Sequence, residues 1–224
     1  MELCIETTRR CNMACEHCMR GETQKIDFNV THLQNFIVDY NVRNIGTITL
    51  TGGEPTLVPE VMMNILGVLK DYTVEVNDFF VATNGKRIPD EFILAALKYY
   101  DYCSSNDATG IAVSNGDWYN VEERPGRHKL DALTFVSNKA YLRATDAREL
   151  LNQGRAKWIA EREPEICPSM VYLNCLGESM HACDLSYENQ RQHKVYWSNE
   201  EAEVPKEIWE EMEKVNVLEL EDVA

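Results

Sequence analysis

The sequence predicts an α/β fold, an open, partial (β/α) TIM-type barrel of about five to six strand–helix units, followed by a C-terminal β-hairpin and a helix. Three observations carry this reading. Short apolar runs alternate with stretches of helical periodicity along the first hundred or so residues. The runs stop on glycine, asparagine or proline, the residues that punctuate strand ends. The chain has 224 residues, fewer than an eight-unit barrel needs.

Taken in order, residues 2–7 (ELCIET) alternate and predict a first strand. A polar, cysteine-rich loop follows to about residue 28. Leu33, Phe36, Ile37 and Tyr40 recur on one helical face. Residues 44–51 (NIGTITLT) form a second strand that ends at Gly52 and Gly53. Val61, Met62, Ile65, Leu66 and Leu69 mark a second helix. Residues 79–82 (FFVA) are a third strand, stopped by the turn signal Thr83-Asn84-Gly85. Pro89 opens a third helix, with Phe92, Ile93, Ala96, Leu97 and Tyr100 on its buried side. Residues 110–114 are a short fourth strand, 115–127 a polar loop and 130–136 a fifth strand. Residues 145–161 predict a helix anchored by Leu150, Leu151, Trp158 and Ile159, although Gly154 opposes it. Such alternation implies a parallel sheet with helices outside it.

The last quarter differs. Residues 170–175 and 179–186 flank Leu176-Gly177-Glu178 and predict a hairpin. A final helix begins near Val204, with Pro205 in its first turn and Ile208, Trp209, Met212 and Val215 as its stripe. The chain thus divides into a barrel domain, 1–165, and a hairpin with an acidic helix, 166–224.

Thirty-seven acidic residues against 22 basic ones give a net charge of −15. Phosphate affinity rests on clustered lysine and arginine, so general nucleic-acid binding is not expected. The acid concentrated between Glu200 and Asp222 reads as a solvated face rather than a docking site. No apolar run is long enough for a membrane span, and Met1-Glu2-Leu3-Cys4 lacks the flank of a signal peptide, so the expected location is cytoplasmic. Eight cysteines in such a compartment favour metal ligation or catalysis over disulfides.

Three of those cysteines, Cys11, Cys15 and Cys18, lie in the loop after the first strand with spacing C-x3-C-x2-C. In a parallel sheet that is the carboxyl end, where ligands bind. Three thiolates can each take one iron of a cubane and leave the fourth iron open to another ligand. The competing reading is zinc on the same thiols, with His17 or Cys4 as fourth ligand, but no second ligand knuckle lies nearby. The second strand ends in Thr51-Gly52-Gly53-Glu54-Pro55, where two glycines permit close backbone approach.

Together TTRRCNMACEHC and the GGEP sequence some 35 residues later resemble the radical S-adenosylmethionine (radical SAM) superfamily. His17 stands where members usually carry an aromatic residue. The resemblance implies a [4Fe–4S] cluster on Cys11, Cys15 and Cys18, and S-adenosylmethionine held near Gly52, Gly53, Glu54 and Pro55. Thr83, Asn84, Ser114 and Asn115 close the next two strands, where the family places polar groups near the cofactor; ordinary turn chemistry explains them equally well. The implied chemistry is one-electron reduction by a flavodoxin- or ferredoxin-like donor. The cofactor is then cleaved to methionine and a 5′-deoxyadenosyl radical, which abstracts hydrogen from a substrate.

The stretch from Cys167 through Cys175 to Cys183 resembles the start of the family's SPASM or twitch auxiliary-cluster domains, cut short. Ligand number leaves room for at most one auxiliary cluster, on Cys167 and Cys183 with Cys103 or Cys175; a relic hairpin with ordinary thiols is the plainer alternative. The hairpin points to a peptide or protein side chain as substrate. The compact chain points instead to a small metabolite such as a nucleotide or pterin. A non-catalytic iron–sulfur or regulatory protein is the third reading.

Overall fold

The computed structural model describes residues 1–114, 127–133, 135, 150–160, 170–181 and 185–191. Its centre is one six-stranded sheet in the order β4-β3-β2-β1-β5-β6. Strands β1 (Glu2–Thr8), β2 (Asn44–Gly52), β3 (Glu75–Thr83), β4 (Gly110–Val113) and β5 (Met170–Leu173) are parallel to their neighbours, and the short β6 (Ser179–Met180) pairs antiparallel with β5. Helices α1 (Thr31–Asp39), α2 (Pro59–Asp71) and α3 (Asp90–Tyr102) fill the crossovers between the first four strands. The open, mostly parallel α/β sheet agrees with the sequence expectation.

The first two crossovers turn sharply because the sequence closes their helices well. After α1 the amide of Asn41 bonds the Val38 carbonyl and that of Val42 bonds Ile37. After α2, Thr73 bonds Lys70 and Val74 bonds Leu69. These are paired Schellman bonds, completed by a left-handed residue, Asn41 at φ 50° and Thr73 at φ 51°. Val42 and Val74 then tuck into the core and start the chain toward the next strand.

The helices cover one face of the sheet. Leu3, Ile5, Ile48, Leu50, Phe79 and Val81 meet Leu33, Phe36, Met62, Ile65, Leu66, Phe92 and Tyr99 there, all buried. On the other face Thr49, Thr51, Phe80 and Ala82 are only half-buried. One buried face and one half-buried face give an alternating strand, as in residues 47–51 (TITLT). β1 lies between β2 and β5, and even its polar residues Glu6, Thr7 and Thr8 are buried.

Several elements differ from the sequence expectation. The buried side of α3 is Phe92, Ala95, Ala96 and Tyr99, while Leu97 faces solvent. The strand expected over 130–136 does not form at its start: Arg127–Leu130 is a helical turn, α4, followed by a turn at 131–132. Leu133 and Phe135 nevertheless pack on the core, Phe135 stacking on Tyr100 with centroids 4.5 Å apart. Of the helix expected over 145–161, residues 150–160 form turns and a single 3-10 turn, Ala156–Trp158. Gly154, at φ 57°, breaks the helical path. Leu150 and Leu151 are buried as anchors, but Trp158 and Ile159 are exposed. The hairpin forms, turning at Gly177, and its first strand extends the main sheet beside β1. The expected helix from Val204 lies outside the described residues.

Behind β1 sits a buried polar network. The Arg9 guanidinium donates to Glu6 at 2.5 Å and to Gln190 at 2.6 Å, and lies 4.5 Å over the Tyr187 ring. Tyr172 donates to the other Glu6 oxygen at 2.6 Å, as does Gln190 at 3.0 Å. Burial alone would raise the Glu6 carboxyl, but Arg20, Arg9 and the Tyr172 hydroxyl outweigh it and hold the group below its ordinary value. Its contribution to stability is therefore complete above the ordinary carboxylate pKa and is lost as pH falls through the lowered folded value.

Removing Arg9 takes from Glu6 one of two nearby cations and one of its donors, while Arg20, Tyr172 and Gln190 remain, so Arg9→Ala is expected to lower unfolding free energy by about 1–3 kcal/mol. Denaturant titrations across acid pH supply the check. Wild-type stability falls below pH 4.5, whereas Glu6→Gln gives a flatter profile in that window.

Candidate functional site

All five parallel strands deliver their carboxyl ends to one rim. The cysteine loop leaves that rim from β1. Its stem is a short antiparallel strip: Arg9 N–H donates to Ile26 at 2.8 Å, Gln24 N–H to Arg9 at 3.0 Å and Phe28 N–H to Thr7 at 3.0 Å. Arg10 clasps both Asp27 oxygens at 2.8 and 2.7 Å. At the tip, the Cys11 amide donates to Thr23 Oγ1 at 3.0 Å and the Cys18 amide to the Cys15 carbonyl at 3.2 Å.

Cys11, Cys15 and Cys18 stand at this tip outside any disulfide, none fully exposed. A cubane takes one thiolate on each of three irons, so its ligands need not converge on one point. Among the described residues no three His, Cys, Asp or Glu side chains form a single-ion cage. Cys4, the alternative zinc ligand, is packed within the sheet against Tyr172, Met180 and Leu185. Three thiols in one loop are the donor type that an iron–sulfur cluster takes. Burial pushes the Cys11 thiol up to about 11, with the Glu54 charge acting in the same direction. It therefore keeps its proton at neutral pH. His17 is pushed down to about 4 by burial and by Arg155, so the imidazole is neutral at pH 7.

The glycine pair makes a close backbone approach within the chain itself. Gly53 N–H donates to the Thr8 carbonyl at 2.7 Å and Glu54 N–H to Arg10 at 2.8 Å. A Cβ on Gly52, at φ 141°, would lie 2.3 Å from Thr8 O, and one on Gly53 would lie 2.2 Å from Arg10 O. The backbone these glycines admit is the chain's own, at the root of the cysteine loop. Pro55 is buried at the start of a 3-10 turn, Pro55–Leu57.

Glu54 is buried and ties the ends of β2 and β3 together. One oxygen accepts from Thr83 Oγ1 at 2.6 Å, Thr56 Oγ1 at 2.7 Å and Thr56 N at 3.2 Å; the other accepts from Asn84 N at 2.7 Å. Burial raises its pKa, against the pull of these donors. Asn84 in turn donates to Asn12 Oδ1 at 2.8 Å and stands 4.0 Å from the Cys11 sulfur. Ser114 N–H donates to the Thr83 carbonyl at 2.8 Å, placing Ser114 on the same rim. Cysteine loop, Gly52–Glu54, Thr83, Asn84 and Ser114 are therefore one connected site. Asn115 lies outside the described residues.

Cys167 and Cys183 also lie outside the described residues. Their suggested companions are committed elsewhere. Cys103 closes α3 at the opposite, amino end of the strands, its thiol pushed up to about 12 by burial and then by Asp78. Cys175 donates its thiol to the Glu6 carbonyl at 3.1 Å and is held protonated by burial.

Two contributions to the site had no signal in the sequence. The Glu6–Arg9 network braces the loop's root from behind. Arg155 meets the loop from the far part of the chain, with Nε 2.8 Å from the Cys15 carbonyl. Beside it an open cavity of about 670 Å³ runs along Glu16, Arg20, Trp158 and Tyr187.

Comparison with known proteins gives a family. A model described as "Radical SAM superfamily" matches residues 5–129. Two solved structures are similar in part, those of Streptococcus suis SuiB bound to its precursor peptide SuiA and of the same protein bound to S-adenosylmethionine. Identities are 17% and 18%, TM-scores 0.38 and 0.36, and each match covers 50% of this chain. The matched part spans about a quarter (24%) of those proteins' length. Comparison with curated proteins gives no match. Among the described residues no helix is long and apolar enough to cross a membrane.

The close approach at the glycine pair separates two substitutions of the same type. Gly53→Ala forces the Arg10 backbone aside and is expected to cost about 1–3 kcal/mol. Gly67→Ala, in α2 with nothing within 4 Å of the new methyl, is expected to add about 0.5–1 kcal/mol. Chemical denaturation of both variants measures the contrast.

Proposed function

The chain belongs to the radical SAM superfamily, and from that premise we propose that it is a radical SAM enzyme whose [4Fe–4S] cluster is held by Cys11, Cys15 and Cys18. The observation that carries the reading is the joining of the cysteine loop to Gly52–Glu54 and Asn84 at one strand rim. When bound, cluster and cofactor supply reductive cleavage of S-adenosylmethionine to methionine and a 5′-deoxyadenosyl radical that takes hydrogen from the substrate.

The chain's own residues bind, fix and shield. The three thiols release their protons to ligate iron. Gly52, Gly53 and Glu54 pin the loop's root, and Asn84 orients Asn12 beside Cys11. Glu54 keeps Thr83 and Asn84 in register with that loop, and Pro55 fixes the turn beneath them. Ser114 is placed to add a hydroxyl at the edge of the cofactor site. His17, neutral and next to Cys18, fills the position beside the third thiol without adding charge. Protein and bound groups divide the task in the usual way, the protein giving orientation and exclusion of water.

The substrate in this reading is a peptide or protein side chain. It is supported by the open cavity beside the cysteine loop, where the exposed Trp158 offers surface to an extended chain. A flavodoxin- or ferredoxin-like protein supplies the electron, and the cytoplasm is the compartment that keeps the thiols reduced.

Anaerobically reconstituted protein given dithionite and S-adenosylmethionine is expected to release 5′-deoxyadenosine, and the triple Cys→Ala variant at positions 11, 15 and 18 to release none. No release from protein with a spectroscopically verified [4Fe–4S] cluster would contradict the proposal.

A further inference from the structure

The family match ends at residue 129, yet the cysteine loop is held from well beyond it. Arg155 Nε donates to the Cys15 carbonyl at 2.8 Å and Arg155 N–H to the Cys18 carbonyl at 2.9 Å. Its Nη1 reaches Glu22, on the returning side of the same loop, at 3.3 Å. One residue thus touches both later cysteines and the segment that follows them.

Gly154 makes this approach possible. At φ 57° it lies so close that a Cβ would stand 2.4 Å from Met19 O and 2.7 Å from Cys18 O. Leu151 N–H points at the Met19 sulfur at 3.3 Å, and Leu150 and Ala156 pack against Met19. The segment is fixed from behind as well. Gln153, buried, accepts from Ser186 N at 2.8 Å and Asn189 Nδ2 at 3.0 Å. Residues 185–191 also supply Gln190 to Arg9. The loop is therefore gripped at its root by Gln190 through Arg9 and at its tip by Arg155.

We propose that Arg155 is a positioning residue for the cluster, clamping the Cys15–Glu22 backbone so that the Cys15 and Cys18 thiols are preorganised for iron. This rests on the reading of Cys11, Cys15 and Cys18 as iron ligands. Groups that orient metal ligands through their neighbours commonly change metal affinity about 10- to 100-fold when removed. The backbone bond from residue 155 to Cys18 survives any side-chain substitution, so Arg155→Ala tests the guanidinium alone. Arg155→Lys keeps the charge and one donor while losing the fork that spans Cys15 and Glu22.

The test uses the full-length chain with and without iron. In the metal-free protein, amide hydrogen exchange across residues 15–22 is expected to rise about tenfold in Arg155→Ala and less in Arg155→Lys, with exchange in β2 and β3 unchanged. In the reconstituted protein, iron loss to a chelator is expected to accelerate about tenfold in Arg155→Ala, and the cluster's EPR-monitored midpoint potential to shift. Exchange and iron loss equal to wild type in both variants would overturn the clamp while leaving the cluster reading intact. Faster exchange in the variants together with no iron uptake by wild type would sustain a clamp on the loop but overturn its role toward iron and the cluster reading with it.

Discussion

The buried pairing of Glu6 with Arg9 is the constraint around which the rest is arranged. Glu6 ends the core of the central strand, and Arg9 starts the cysteine loop. A carboxylate and a guanidinium that are both almost fully buried are tolerable only if every oxygen and nitrogen finds a partner. Tyr172, Gln190, Gln24 and the Cys175 amide supply those partners. Three of the four come from the last quarter of the chain. Satisfying one ion pair thus draws β5 and residues 185–191 onto β1, and with them the Gln153–Arg155 segment onto the loop tip.

The front of the loop obeys the same logic of satisfied polar groups. Among the described residues no cation pairs with the buried Glu54, and hydroxyl and amide donors from two strand ends compensate it. That arrangement locks β2 to β3 at the rim. The glycine pair allows the same rim to touch the loop's root without a side chain in the way. The cysteines are therefore presented by a scaffold fixed on both sides, while the thiols themselves remain partly open.

Local signals made the first half of the molecule legible. Periodicity located three helices, and turn residues located the strand ends, because each of those elements buries one face on a single sheet. The cysteine triplet and Gly52–Glu54 stood out as a candidate site because three thiols lie in one short loop and two glycines precede a carboxylate at a strand end. Long-range satisfaction was not legible. Nothing around Gln190 or Arg155 marks a partner for Arg9 or Cys15, since those contacts join residues more than a hundred positions apart. The helix expected through Gly154 failed for the same reason: the sequence showed a glycine, but only the fold shows the Cys18 and Met19 carbonyls it must approach. Trp158 and Leu97 fit helical stripes and yet face outward, because periodicity identifies an apolar stripe but not whether anything lies against it.

The central claim is that Cys11, Cys15 and Cys18 hold a four-iron cluster with one iron left to bind S-adenosylmethionine. EPR of the reduced, reconstituted protein with and without S-adenosylmethionine measures this directly. The account predicts a [4Fe–4S] signal whose g values shift when the cofactor is added, and loss of that signal when any one of the three cysteines is replaced. A four-iron signal that S-adenosylmethionine leaves unchanged would contradict it.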